Sequence, residues 1–260
     1  MSSLEGRVAV VTGGGRGIGA AIARSLAAEG AHVVVSGRSQ GPLEEVVARM
    51  RADGGKADWT RCDVSRAEDV AALAATVNKL AGPASIVVNN AGIAKSAKIA
   101  DTDEAAWNEI IAVNLTGAFR VTRAFLPDVL AAGPRGRIVY IGSTASKIGF
   151  YYAGAYSASK HGLLGLARTL AMEIATKGPT VNVVCPGWVE TDMADEAVQN
   201  IVKRTGRSAA EARKELERMS PQRRFVTPDE VAAVTMFLVS DGAGGVTGQS
   251  WGVDGGQVMS

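Results

Sequence analysis

The stretch "RVAVVTGGGRGIGAAIARSLAAEGA", residues 7–31, decides how the rest of the chain is read. Arg7 to Thr12 is a continuous, valine-rich run of strand length. Glycines crowd the next few positions, and an alanine- and leucine-rich segment of helical period follows. A strand that turns through glycines into a helix presents free N–H groups and the positive end of a helix dipole at one point. Missing Cβ atoms let a pyrophosphate approach that backbone. Gly13, Gly17 and Gly19 are spaced G-x-x-x-G-x-G, with Gly15, Arg16 and Ile18 among them, while Gly15, Gly17 and Ala20 satisfy the looser G-x-G-x-x-G/A pattern. Spacing alone leaves the register open. Its position after the first strand of a βαβ unit favours a dinucleotide loop over an ordinary glycine-rich turn.

Outward from this unit the same alternation continues. Runs at 7–12, 32–37, 57–64, 85–90, 136–142, 180–187 and 249–256 read as seven strands, and segments near 18–29, 40–53, 66–80, 103–131, 154–177 and 228–239 as helices. Ser65, Asp101 or Thr102, and Thr227 are expected as helix caps, with Pro228 at a first helical position. The apolar runs are continuous rather than alternating, which suits parallel strands covered on both faces. The expectation is an α/β Rossmann fold: one domain over 1–260, a doubly wound seven-stranded parallel sheet with helices on both faces, and ligands at the carboxyl ends of the strands.

Composition narrows the function. With 28 basic and 26 acidic residues the formal charge is only +2, which gives no reason to expect nucleic acid as a partner. Cys62 and Cys185 both end apolar runs and read as buried free thiols. The N-terminus lacks a basic segment followed by an apolar one, and no apolar run reaches the ~18 residues that span a bilayer. A soluble, cytoplasmic protein without a membrane partner is expected. Neither His32 nor His161 has a ligand-spaced neighbour, so no metal site is expected. His161, about 100° around the helix from Lys160, reads as a packing or surface residue.

The second strand ends "VVVSGRS", with Ser36, Gly37 and Arg38 where an acidic residue would hold the adenosine ribose. Arg38 and Arg16 together suit charge-assisted contact to a 2′-phosphate, which favours NADP(H), with NAD(H) as the alternative. Asp63, followed by Val64 in "CDV", is placed to accept from the adenine amino group.

"TGGGRGIG", "CDV", "NNAG" (89–92), Asn114 in "VNLTG", Ser143 in "IGST", "YSASK" (156–160) and "CPGWVET" (185–191) together resemble the short-chain dehydrogenase/reductase family over essentially the whole chain. "NLTGAFRVTRAF", "YSASKHGLLG", "VNVVCPGWVETDMA" and "QRRFVTPDEVA" are most similar to its ketoreductase branch, which acts on β-ketoacyl thioesters and aromatic polyketides. Positions i and i+4 share a helix face, so Lys160 is expected to bring its ammonium near the Tyr156 phenol and lower its pKa, making Tyr156 the acid/base. Ser143 orients the substrate oxygen. The resemblance implies that Lys160 also holds the nicotinamide ribose and that Asn114 anchors a proton-relay water. It further implies cofactor contacts from Asn89, Asn90, Ala91 and Gly92, and from Pro186, Gly187, Val189 and Thr191.

The connection 192–225 is expected to form a mobile substrate lid. Phe150, Tyr151, Tyr152, Trp188 and Met193 are candidates to line the substrate pocket. A basic run within the lid reads as a solvated helix face or as a dock for a phosphopantetheine arm, coenzyme A phosphates or an acidic carrier protein. The sequence thus points to an NADP(H)-dependent oxidoreductase reducing a 3-oxoacyl thioester or polyketide-like ketone. The alternatives are an NAD(H)-dependent secondary-alcohol or 3-hydroxyacyl-CoA dehydrogenase and a non-catalytic cofactor-binding scaffold. Small and apolar residues around the helices near 103–131 and 154–177, together with the resemblance, imply a homotetramer.

Overall fold

The structure, a computed structural model, describes residues 4–259; of the span 1–260, residues 1–3 and 260 lie outside the described residues. Seven strands, β1 (Val8–Thr12), β2 (His32–Gly37), β3 (Lys56–Arg61), β4 (Ile86–Asn89), β5 (Arg137–Ile141), β6 (Thr180–Pro186) and β7 (Ser250–Val253), form one sheet. Their order is β3-β2-β1-β4-β5-β6-β7, and all neighbours are parallel. The helices are α1 (Gly17–Ala28), α2 (Gln40–Ala52), α3 (Ala67–Leu80), α4 (Glu104–Ile111), α5 (Ala118–Ala131), α6 (Gly154–Ile174), α7 (Asp192–Thr205), α8 (Ala209–Glu217) and α9 (Pro228–Val239). The chain moves from β1 out to β3, then returns to lay β4 on the other side of β1. That reversal opens a crevice at the carboxyl ends of β1 and β4.

The continuous apolar runs follow from two covered faces. Ala9, Val11, Val33 and Val35 pack on one side with Ile22 and Leu26 of α1, Val47 of α2 and Leu238 of α9. Val8, Val10 and Val34 pack on the other with Leu73 of α3, Phe125 of α5 and Leu163 of α6. Each fully buried Val, Leu or Phe side chain contributes ~1.5–3 kcal/mol. Cys62 and Cys185 are buried free thiols.

Local details differ from the expectations where side chains found other partners. Ser65 does not cap α3: Arg66 holds that position without a side-chain bond, and the Ser65 hydroxyl donates to Asp63 Oδ1 at 2.6 Å. Asp103, rather than Asp101 or Thr102, caps α4 by accepting from the Ala106 amide at 2.6 Å. Thr227 and Glu230 form a capping box at α9, with Pro228 in its first turn. The long helix expected over 103–131 is interrupted by a π-helical stretch, Ala112–Gly117, between α4 and α5. Asn114 lies in that stretch. The connection 192–225 contains α7 and α8, which enclose a small cluster of Ala194, Val198, Ala212, Leu216 and Phe225.

Candidate active site

A cleft of about 520 Å³ lies at the crevice. The loop from β1 to α1 forms one wall: Gly13 and Gly17 have φ of +64° and +52°, in the left-handed region that favours glycine. A Cβ on Gly19 would lie 2.3 Å from the Gly13 carbonyl oxygen and 2.4 Å from Asn90 Nδ2. Asn90 explains the tightness, since its Nδ2 donates to the Thr12 and Gly13 carbonyls at 2.9 and 3.0 Å. Thr12 Oγ1 in turn accepts from the Asn90 and Ala91 amides, both at 3.1 Å. Arg16, at the N-cap of α1, makes no side-chain cap bond. The first-turn N–H groups of α1 have no intrahelical acceptors, and Gly15, Gly17, Ile18 and Gly19 line the cleft beside them. This loop fits a dinucleotide pyrophosphate.

At the adenosine end, exposed Arg38, half-buried Asp63 and buried Val64 complete the cleft wall. Burial raises the Asp63 pKa, but hydrogen bonds from Ser65 and then the charges of Arg38 and Arg66 outweigh it and hold the carboxyl below its ordinary value. Arg16 does not stand free beside Arg38: its Nη1 lies 3.2 Å from Asp192 Oδ2, across the cleft on α7.

The other end is built from β5, α6 and the π-helical stretch. Ser143 follows β5 with extended backbone, and its amide donates to Ser146 Oγ at 3.2 Å while its own Oγ accepts from the Ala145 amide at 3.1 Å. Its hydroxyl also shares a hydrogen bond with the Tyr156 hydroxyl. One turn further along α6, buried Lys160 directs Nζ to the Ile141 carbonyl at 2.8 Å and lies 5.7 Å from the Tyr156 ring centroid. Buried Asn114 accepts from the Ile93 amide at 2.8 Å and donates to the Ile93 carbonyl and Ser159 Oγ at 2.9 and 3.0 Å. Gly92 joins these groups, because a Cβ there would meet Asn114 Oδ1 at 3.4 Å and Lys160 Nζ at 3.7 Å.

The electrostatics correct the expectation for the phenol. Burial raises the Tyr156 pKa, with the Ser143 hydrogen bond opposing it, and burial pushes the Lys160 ammonium down to about 8. In the free protein, withdrawal from water outweighs cationic stabilisation of a phenolate. Tyr156 is therefore a neutral O–H donor near neutrality.

Of the other expected contact residues, Thr191 and Met193 line the cleft, whereas Pro186, Gly187 and Val189, like Ser143 and Asn114, lie outside its lining. Pro186 pairs with Val253, the Gly187 amide donates to the Val253 carbonyl, and Val189 bridges to Val226, so all three anchor the turn after β6. Asn89 is buried and donates to Thr122 Oγ1, behind the cleft. Phe150, Tyr151 and Trp188 are absent from the cleft wall: Tyr151 is 94% exposed, and Trp188 stacks on Phe225 at 6.1 Å against the cluster formed by α7 and α8. Residues not anticipated include Pro42, Leu43, Ile93 and the ion pair Lys95–Glu109, with Nζ 2.5 Å from Oε2. Only proximity in the fold distinguishes that pair from other surface charges. His161 Nδ1 lies 2.9 Å from the Ser157 carbonyl on the exposed side of α6. Among the described residues no group of three or more His, Cys, Asp or Glu is arranged to hold a metal, and no helix is long and apolar enough to cross a membrane.

A family model described as enoyl-(acyl carrier protein) reductase matches residues 13–257. A 3-oxoacyl-[acyl-carrier-protein] reductase of Synechocystis sp. is 36% identical over 261 residues and is covered in full, as is this chain. A D-beta-hydroxybutyrate dehydrogenase of Cupriavidus necator is 37% identical, with 98% of this chain and 99% of that protein aligned. The crystal structure of an actinorhodin polyketide ketoreductase variant with NADPH superposes with a TM-score of 0.94 at 40% identity, covering 99% of each chain. Matching along the whole chain, in sequence and in fold, places this protein in the short-chain dehydrogenase/reductase family of oxidoreductases.

Proposed function

We propose that the protein is an NADPH-dependent ketone reductase whose substrate is a 3-oxoacyl thioester or a polyketide-like ketone. The observation that carries this reading is the hydrogen-bonded Ser143–Tyr156 pair, with Lys160 one helical turn away, at the end of a cleft that begins in a glycine loop. Bound NADPH supplies a hydride from its nicotinamide ring. Ser143 donates a hydrogen bond to the substrate carbonyl oxygen and orients it. Tyr156, kept protonated by burial, gives its proton to that oxygen as the alcohol forms. Lys160 holds the nicotinamide ribose and, with Asn114, leads a proton back to Tyr156.

Arg38 supports NADPH, because β2 ends without an acidic residue and a guanidinium is exposed beside the adenosine wall. Two of the similar proteins support this reading: one is named for 3-oxoacyl carrier-protein substrates, and one solved neighbour was crystallised with NADPH. A non-catalytic scaffold would have no need of this set of side chains at the cleft end. The lid is assigned to 192–225, where Met193 reaches the cleft and α7 and α8 pack in their own small cluster. The protein works as a single catalytic domain in the cytoplasm and as a homotetramer. Exposed Trp107, Phe119, Met172 and Phe237 on α4, α5, α6 and α9 supply apolar surface for that assembly.

Assaying a panel of 3-oxoacyl thioesters, cyclic ketones and secondary alcohols with NADPH and NADH tests the reading. Ketone reduction with NADPH is expected to dominate; turnover confined to alcohols with the oxidised form of NADH would refute it. Light scattering at micromolar concentration is expected to give four chains, and a fully active monomer would refute the assembly.

A further inference from the structure

The Arg16 guanidinium faces a carboxylate of its own chain across the cleft. Nη1 lies 3.2 Å from Asp192 Oδ2, the two side chains are 72% and 65% exposed, and both residues line the cleft together with Arg38. The pairing is built into the backbone: Thr191, just before Asp192, packs on the glycine loop so closely that a Cβ on Gly17 would lie 3.0 Å from its Cγ2. Asp192 opens α7 and therefore has a fixed origin within reach of Arg16. Glu196, one turn later, adds a second carboxylate to the same wall.

We propose that Asp192 is a specificity-determining residue for the cofactor: its carboxylate competes with the adenosine 2′-phosphate for Arg16 and reduces the preference for NADPH over NADH. This rests on the NADPH reading above. An exposed ion pair is worth ~1 kcal/mol or less, so a ligand phosphate can displace it, but only against that opposing pull. A 2′-phosphate carries roughly −1.5 to −2 charges near neutrality and outcompetes a single carboxylate for a guanidinium. NADH has no such group, and the competition does not reach it. Arg38 lines the same cleft and its charge acts on Asp63 at the adenosine end, whereas Arg16 is shared with Asp192.

The test is Asp192→Asn, with NADPH and NADH each titrated by nicotinamide fluorescence at low ionic strength. The dissociation constant for NADPH is expected to fall about two- to fivefold, while that for NADH changes by less than about twofold. The selective gain is expected to vanish in an Arg16→Ala background and to be missing from Asp195→Asn, which alters the same first turn of α7. Equal tightening of both cofactors, no change in their ratio, or a selective gain that survives Arg16→Ala would overturn the inference. A wild-type preference for NADH would overturn the NADPH reading instead, since the inference is judged on the shift in ratio alone.

Discussion

Lys160 Nζ donates to the Ile141 carbonyl at 2.8 Å, tying the buried ammonium of α6 to the strand that also delivers Ser143. The bond orients the lysine but does not repay its removal from water, and its pKa falls from 10.5 to about 8.

That shift predicts a pH dependence of stability. Below pH 8 both folded and unfolded chains hold the proton, and the fold carries the full cost of a buried ammonium. Between about 8 and 10.5 the unfolded chain binds more protons, so this residue's contribution to stability improves as pH rises, by about 3 kcal/mol in all. Lys160→Met has no such group. Urea melts at pH 7.5 to 10 are expected to show wild type gaining on the variant as pH rises. Parallel curves would contradict the burial assignment.

Asn114→Ala is expected to destabilise the fold by about 2–4 kcal/mol, because it strands the Ile93 amide and carbonyl and removes the bond to Ser159. Urea denaturation measures this. A loss under about 0.5 kcal/mol would mean that water or a rearranged loop replaces the amide.

Much of this arrangement was legible in the residues before the fold was known. The βαβ alternation and the glycine loop carry the sheet, and the four-residue spacing of Tyr156 and Lys160 carries their shared helix face. The π-helical stretch at Ala112–Gly117 was not legible, since its residues continue a helical pattern and its partner Ile93 lies in the loop after β4. Helices α7 and α8 were obscured by their charges: the buried positions Ala194, Val198, Ala212 and Leu216 are few, and they are satisfied by each other and by Phe225. Arg16 lines the cleft, but its carboxylate partner on α7 is distant in sequence. The sign of the Tyr156 shift was misread because a nearby cation is visible as sequence spacing, whereas desolvation is a property of the assembled core.

Arg38→Asp is expected to weaken NADPH by roughly 2–4 kcal/mol and NADH far less, since the substitution removes a phosphate partner and adds a repulsive charge. Fluorescence titration of both cofactors decides it. An equal loss for both would move Arg38 away from the 2′-phosphate.

The central claim is that Tyr156 supplies the proton to the substrate oxygen, and Tyr156→Phe tests it most directly because the ring keeps its packing while the hydroxyl bonded to Ser143 is lost. Single-turnover ketone reduction by the NADPH-loaded variant is expected to slow at least about a hundredfold, with the NADPH dissociation constant within about twofold of wild type. Near-normal reduction by a variant that binds NADPH normally would contradict the account.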